Sequence, residues 1–183
     1  MELMLLRVFQ RQVALQCEAV IFADEDLRRA LRSGETSRAW VAIQNLLGAG
    51  ANVSKALWGP GGKLATERES LRASLEIDDM SPFRETGMRN NFEHLDSRLD
   101  EWWEKSPNHL YIDMNFGDVR AAISATDEID TFRNFDPATF DVIFWGQQHN
   151  IQGIVSEAER VLPIAVSEAM KPNWEPPESA PPG

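Results

Sequence analysis

Within residues 84–104, RETGMRNNFEHLDSRLDEWWE, an arginine stands five residues ahead of one of the chain's three histidines: Arg89-Asn90-Asn91-Phe92-Glu93-His94. These side-chain types suffice for phosphodiester chemistry. An imidazole accepts or donates a proton near neutral pH. A guanidinium carries a fixed charge and a planar fork of donors that matches phosphoryl oxygens. Together they suit metal-independent RNA cleavage, in which the ribose 2′-hydroxyl attacks the adjacent phosphorus, His94 handles the proton, and Arg89 offsets the charge that builds on the phosphoryl oxygens. Asn90, one helical turn before His94, is placed to orient the imidazole or to hold a phosphate oxygen. Asn91, Glu93 and Arg98 flank these three as candidate substrate-binding residues.

The element that must position them is a helix. Ser81-Pro82 reads as an N-cap followed by proline at the first helical position, and Ser106-Pro107 reads as a stop, which predicts one helix of about six turns. At about 100° per residue, Met88, Phe92, Leu95, Leu99, Trp102 and Trp103 share one apolar arc. Arg89, Glu93, Asp96 and Asp100 line one flank; Asn90, Asn91, His94 and Arg98 line the other. Arg89 and His94 are then about 140° apart and bracket the exposed face without meeting. Two copies of the helix, related by a twofold axis, would bring the arginine of one toward the histidine of the other.

Plainer readings compete. Arg89 and Glu93 are spaced i,i+4 and could form a surface ion pair worth a few tenths of a kcal/mol. The stripe Glu93, Asp96 and Asp100 has the ligand type of Mg²⁺ or Mn²⁺, although charge runs on helices are as a rule solvated faces. His109 and His149 are expected as loop or capping residues. His-x-x-x-His, Cys-x-x-Cys and Gly-x-Ser-x-Gly do not occur, so zinc, thiol-redox and serine-hydrolase chemistry lack their motifs and no cofactor is expected. Gly59-Pro60-Gly61-Gly62-Lys63 reads as a turn, because Leu57 and Leu64 stand where a phosphate-binding loop needs glycine and Ser or Thr.

Two long helices precede the motif. Leu6, Phe9, Val13, Cys17, Val20, Leu27 and Leu31 recur at helical spacing from about Glu2 to Ser33, and Trp40, Ile43, Leu47 and Leu57 from about Glu35 to Trp58. Leu47-Gly48-Ala49-Gly50-Ala51 is read as close approach of a neighbouring helix. Thr66-x-x-Glu69 has the form of a capping box opening a short helix with Leu71 and Leu75. After Pro107 the period shortens toward 2. The runs Leu110-Tyr111-Ile112, Ala121-Ala122-Ile123 and Asp141 to Trp145 predict a small antiparallel β-hairpin or meander at about 108–148, with a hairpin over 133–145 turning at Asp136-Pro137. Helical spacing returns over 150–170, where Pro163 should kink or divide the last helix. Residues 171–183, KPNWEPPESAPPG, read as a disordered proline-rich tail in which Trp174 could dock on the domain.

At 183 residues, 43% hydrophobic and 26% charged, the composition suits one globular domain over 1–170 plus that tail. Cys17, the single cysteine, falls in the apolar series of the first helix; it is expected in the core, and one cysteine fits a reducing compartment. MELMLLRVFQ has no basic leader region, and no apolar run nears the roughly 18 residues of a membrane span, so a cytoplasmic chain without membrane contact is expected. A net charge of −11 argues against broad attraction to nucleic acid. A dedicated RNA, or a partner that delivers it, fits better.

Arg-Asn-x-x-x-His on an amphipathic helix, behind two longer helices, resembles the signature of the HEPN superfamily, across about 2–105 and the final helix. The resemblance implies a mainly α fold, an antiparallel helical bundle, with the β insertion before the last helix as a departure. It also implies a metal-independent endoribonuclease with Arg89, Asn90 and His94 in its site, an RNA substrate, and a homodimer that completes that site. Such domains serve in toxin–antitoxin, phage-defence and RNA-processing systems, so an antitoxin protein is a candidate partner. The alternative is a non-catalytic helical interaction module that binds a protein or nucleotide through the same face.

Overall fold

The computed structural model describes residues 1–117 and 127–174. The expected run Ala121-Ala122-Ile123 and tail residues 175–183 lie outside the described residues. Helix α1 (Leu3–Ser33) ends at Gly34, whose φ of 69° is a conformation that glycine adopts without a Cβ penalty, and α2 (Thr36–Trp58) returns along it. Helix α1 also packs along the last helix, α7 (Ile151–Ala169), which α2 approaches at Gly50, and the core between them includes Val13, Cys17, Val20, Leu27, Ile43, Leu46, Ile154 and Val161. The periodicity placed these helices because each buries one apolar stripe. Burial pushes the Cys17 thiol up to about 12, with Glu157 adding to the shift, so it stays a protonated core residue.

The small residues of α2 divide by function. A Cβ on Gly50 would lie 3.1 Å from Ile154 Cγ2 on α7, the expected close approach, whereas one on Gly48 would meet nothing within 4 Å. Of the kink or division expected at Pro163, the division does not occur, and α7 continues as one helix through it. Pro163 and Glu159, whose carbonyl loses its helical donor, are both exposed, so water can replace that bond.

Short helices α3 (Gly62–Glu67) and α4 (Glu69–Ser74) follow. The expected capping box does not form, since Thr66 lies inside α3. Arg72 instead ties α4 to its neighbours, its Nη1 donating to the carbonyls of Leu57 (2.9 Å) and Ala65 (2.8 Å). Leu71 and Leu75 are fully buried, as their spacing predicts.

Strands β1 (Asn115–Phe116), β2 (Arg133–Asp136), β3 (Asp141–Phe144) and β4 (Gln147–Asn150) form one sheet in that order. The predicted hairpin is present as β2 and β3, and Asp136 accepts the Ala138 amide at 2.9 Å to shape its turn. The sheet is mixed, not antiparallel: β1 pairs parallel with β2. The chain from Phe116 to Arg133 is long enough for the crossover that a parallel pair needs. Of Leu110-Tyr111-Ile112, Ile112 forms a single bridge to Thr131, and among the described residues the other two pair with none. The architecture is thus mainly helical with a small four-stranded sheet ahead of α7. Among the described residues, no helix is long and apolar enough to cross a membrane.

Candidate functional site

The motif does not sit on one six-turn helix. Pro82–Arg84 form a 3₁₀ turn, α5 spans Gly87–Glu93, and α6 spans Leu95–Lys105, with His94 between them at φ −107°, ψ 35°. Ser81 is no cap: its hydroxyl donates to Glu157 Oε1 on α7 at 2.9 Å, while Glu85 Oε1 accepts the first amide of α5 at 2.5 Å. The bonds His94 N–H to Asn90 O (3.0 Å) and Arg98 N–H to His94 O (3.1 Å) span the junction, which makes it a bend. Two packing surfaces require it. Helix α5 sets Met88, Asn91 and Phe92 into the core beside α2, with Phe92 6.2 Å from the Trp40 ring. Helix α6 is held at the sheet end by Trp102, whose Nε1 donates to the buried Asp130 at 2.9 Å. One straight axis cannot serve both. The change of direction also leaves Trp103 65% exposed, outside the core arc expected for it.

The bend separates the predicted site residues. Arg89, expected on an exposed face, is largely enclosed, its side chain 17% exposed. Its Nη2 lies 2.5 Å from Glu93 Oε1, its Nη1 donates to Asn90 Oδ1 at 3.1 Å, and its buried Nε has no hydrogen-bond partner among the described residues. The ion pair of the plainer reading is therefore real, and Asn90 braces the arginine instead of the imidazole. The guanidinium forms part of the wall of a cleft of ≈ 580 Å³ between α1, α2 and α5, which Glu93 also lines. His94 is exposed at the bend and is not part of that wall. Among the described residues its imidazole meets no hydrogen-bonding or charged partner.

Asn91, read as a surface residue, is 6% exposed and accepts from Arg98 Nε at 3.1 Å. Arg98 also donates to Glu101 at 2.9 Å and lies over the Trp145 ring, 5.6 Å from its centroid. These two residues brace the junction. Among the described residues, no group of three or more His, Cys, Asp or Glu could hold a metal ion, the stripe Glu93, Asp96 and Asp100 included. His109 contacts the Trp103 carbonyl at 3.0 Å and packs on its ring. His149 lies in β4, where burial holds its imidazole below the ordinary value of 6.5 against the pull of Glu85 and Asp141.

One supporting pair escaped the sequence reading. Arg133 Nε donates to Asp113 Oδ1 at 2.8 Å, its backbone amide reaches the same oxygen at 3.2 Å, and its guanidinium lies 5.8 Å from the Phe92 ring centroid. The pair links the sheet to the buried face of α5. Burial pushes the Asp113 carboxyl up, but the bonds from Arg133 and Tyr111 outweigh it and hold it below its ordinary value. Two residues twenty positions apart carry no periodic signal of such a contact.

No protein-family model, curated protein or solved structure matches this chain.

Proposed function

We propose that the chain is a metal-independent endoribonuclease of the HEPN type, acting as a homodimer. The observation that carries this reading is the state of Arg89: a guanidinium fixed by Glu93 and Asn90 in a cleft wall, five residues before an exposed histidine at a helix bend. An arginine held in this way meets a phosphate with little ordering cost. His94 takes the proton of the ribose 2′-hydroxyl as that oxygen attacks phosphorus, and Arg89 offsets the added charge on the phosphoryl oxygens. The bond to the 5′-oxygen then breaks, that oxygen is protonated, and a 2′,3′-cyclic phosphate remains. Because His94 lies outside the cleft wall that Arg89 joins, the arginine of one chain is paired with the histidine of the other.

The Arg89 to Glu93 ion pair favours one other reading, a non-catalytic module that uses this cleft to bind a partner. Incubation with mixed RNA in EDTA separates the two. Cleavage that leaves 2′,3′-cyclic ends and disappears in both Arg89→Ala and His94→Ala is the expected result. Cleavage unchanged in both variants would rule out this site, and a stable dimer that cuts no RNA would favour the binding module.

A further inference from the structure

We infer that the cleft beside Arg89 is a track for single-stranded RNA, in which Phe22 stacks on a base and the amides of Gln44, Asn45 and Asn52 read its edge. The inference rests on the reading of Arg89 as the phosphate-holding residue, and deepens it by assigning the neighbouring surface to the substrate's bases.

The cleft volume of ≈ 580 Å³ lies in the range of sites that take a nucleotide-sized ligand. Gln44, Asn45 and Asn52 of α2 are exposed along the cleft, and Gln16 of α1 faces them, accepting from Asn52 Nδ2 at 3.2 Å. Each carboxamide presents a donor and an acceptor together, the pattern that a base edge matches. Phe22, on the same wall, is 60% exposed. An open aromatic ring beside such amides is a stacking platform, and stacking accepts any base because each has a π-face.

Charge does not oppose this. The cleft's two carboxylates are matched, Glu93 by Arg89 at 2.5 Å and Asp26 by Arg29 at 2.8 Å, so the net charge of −11 is not concentrated here. A second hollow of ≈ 330 Å³ adjoins the first, sharing Asp26 and Asn45, and is lined near the turn between α1 and α2 by Arg29 and by Arg38, the latter paired with Glu35 at 2.8 Å. Arginines, each held in an ion pair, thus stand at both ends of a stretch that carries the amides. That order suits a strand whose phosphates are held at the ends while its bases lie between.

The test uses the full chain carrying His94→Ala, so that bound RNA is not cut, with fluorescein-labelled hexauridylate and hexaadenylate read by anisotropy. Adding Phe22→Ala, or Gln44→Ala with Asn45→Ala, should weaken binding about tenfold or more without changing the melting temperature, since all three side chains are exposed. Unchanged affinity in variants that melt like their parent overturns the track, as does a parent that binds neither probe. A Phe22→Ala change in oligomeric state with unaltered affinity overturns it too. RNA cleavage by the wild-type chain is scored separately. Cleavage that survives in cleft variants of undiminished affinity leaves the nuclease without the track, while cleft-dependent binding with no cleavage leaves the track without the nuclease.

Discussion

Arg89 and His94 are treated in opposite ways by their surroundings. The arginine is enclosed and braced on two sides, whereas the histidine is open to solvent. Arg89→Lys keeps the charge but loses the fork that reaches Glu93 and Asn90 together, so cleavage should fall by at least tenfold while the fold persists; a rate assay beside a thermal melt checks both. Asp113 is the residue whose loss should reach α5 from outside the motif. Asp113→Asn leaves the half-buried Arg133 without its counter-charge and should cost on the order of 2 kcal/mol in urea unfolding. The carboxyl of Asp113 is held below its ordinary value of 3.8 in the fold, so its contribution is complete above pH 3.8 and is lost as pH falls through the lower folded value. His149 acts at milder pH: its depressed folded value means that the unfolded chain binds the proton more readily below 6.5. Stability from its neutral form is therefore full above 6.5 and declines as pH falls toward the folded value, and His149→Gln should flatten that part of a stability–pH curve.

At the scale of the element, α2 presents two glycines to different surroundings. Gly48 faces open space on the cleft side, so Gly48→Ala should raise stability by up to about 1 kcal/mol through helix propensity alone. Gly50 faces Ile154, and Gly50→Val should lower stability by about 1–3 kcal/mol because the added side chain overpacks against the buried Ile154. A pair of urea melts that shows the same sign for both would contradict this division. The boundaries of α1, α2 and α7 were legible in the chain to within a residue or two, since each has one apolar stripe and a clear stop. The α5–α6 bend was not. Its apolar arc is continuous enough to suggest one helix, and nothing local in His94 announces that the turns on either side rest on different partners. The parallel β1–β2 pair was hidden for a similar reason: period-2 alternation identifies strands, but not the direction of their neighbours.

For the molecule as a whole, the proposed site requires two chains. Mixing Arg89→Ala with His94→Ala under conditions of subunit exchange should then restore activity that neither variant has. Random pairing gives mixed dimers in about half of the population, each with one intact site of two, so recovery to about a quarter of the wild-type rate is expected. A mixture as inactive as its parts would show that Arg89 and His94 do not act across a twofold axis.

The residue string alone determined the order of the long helices, the core positions of Cys17, Trp40, Ile43 and Leu71, and the presence of Arg89 and Asn90 on a helix. These follow from hydrophobic periodicity and side-chain chemistry, which are local. Tertiary structure decided that Arg89 turns inward against Glu93 while His94 turns outward, that Asn91 is buried, and that a cleft runs beside them. Those outcomes depend on where α2 and the sheet end stand relative to the segment, and the spacing of its own residues cannot encode that.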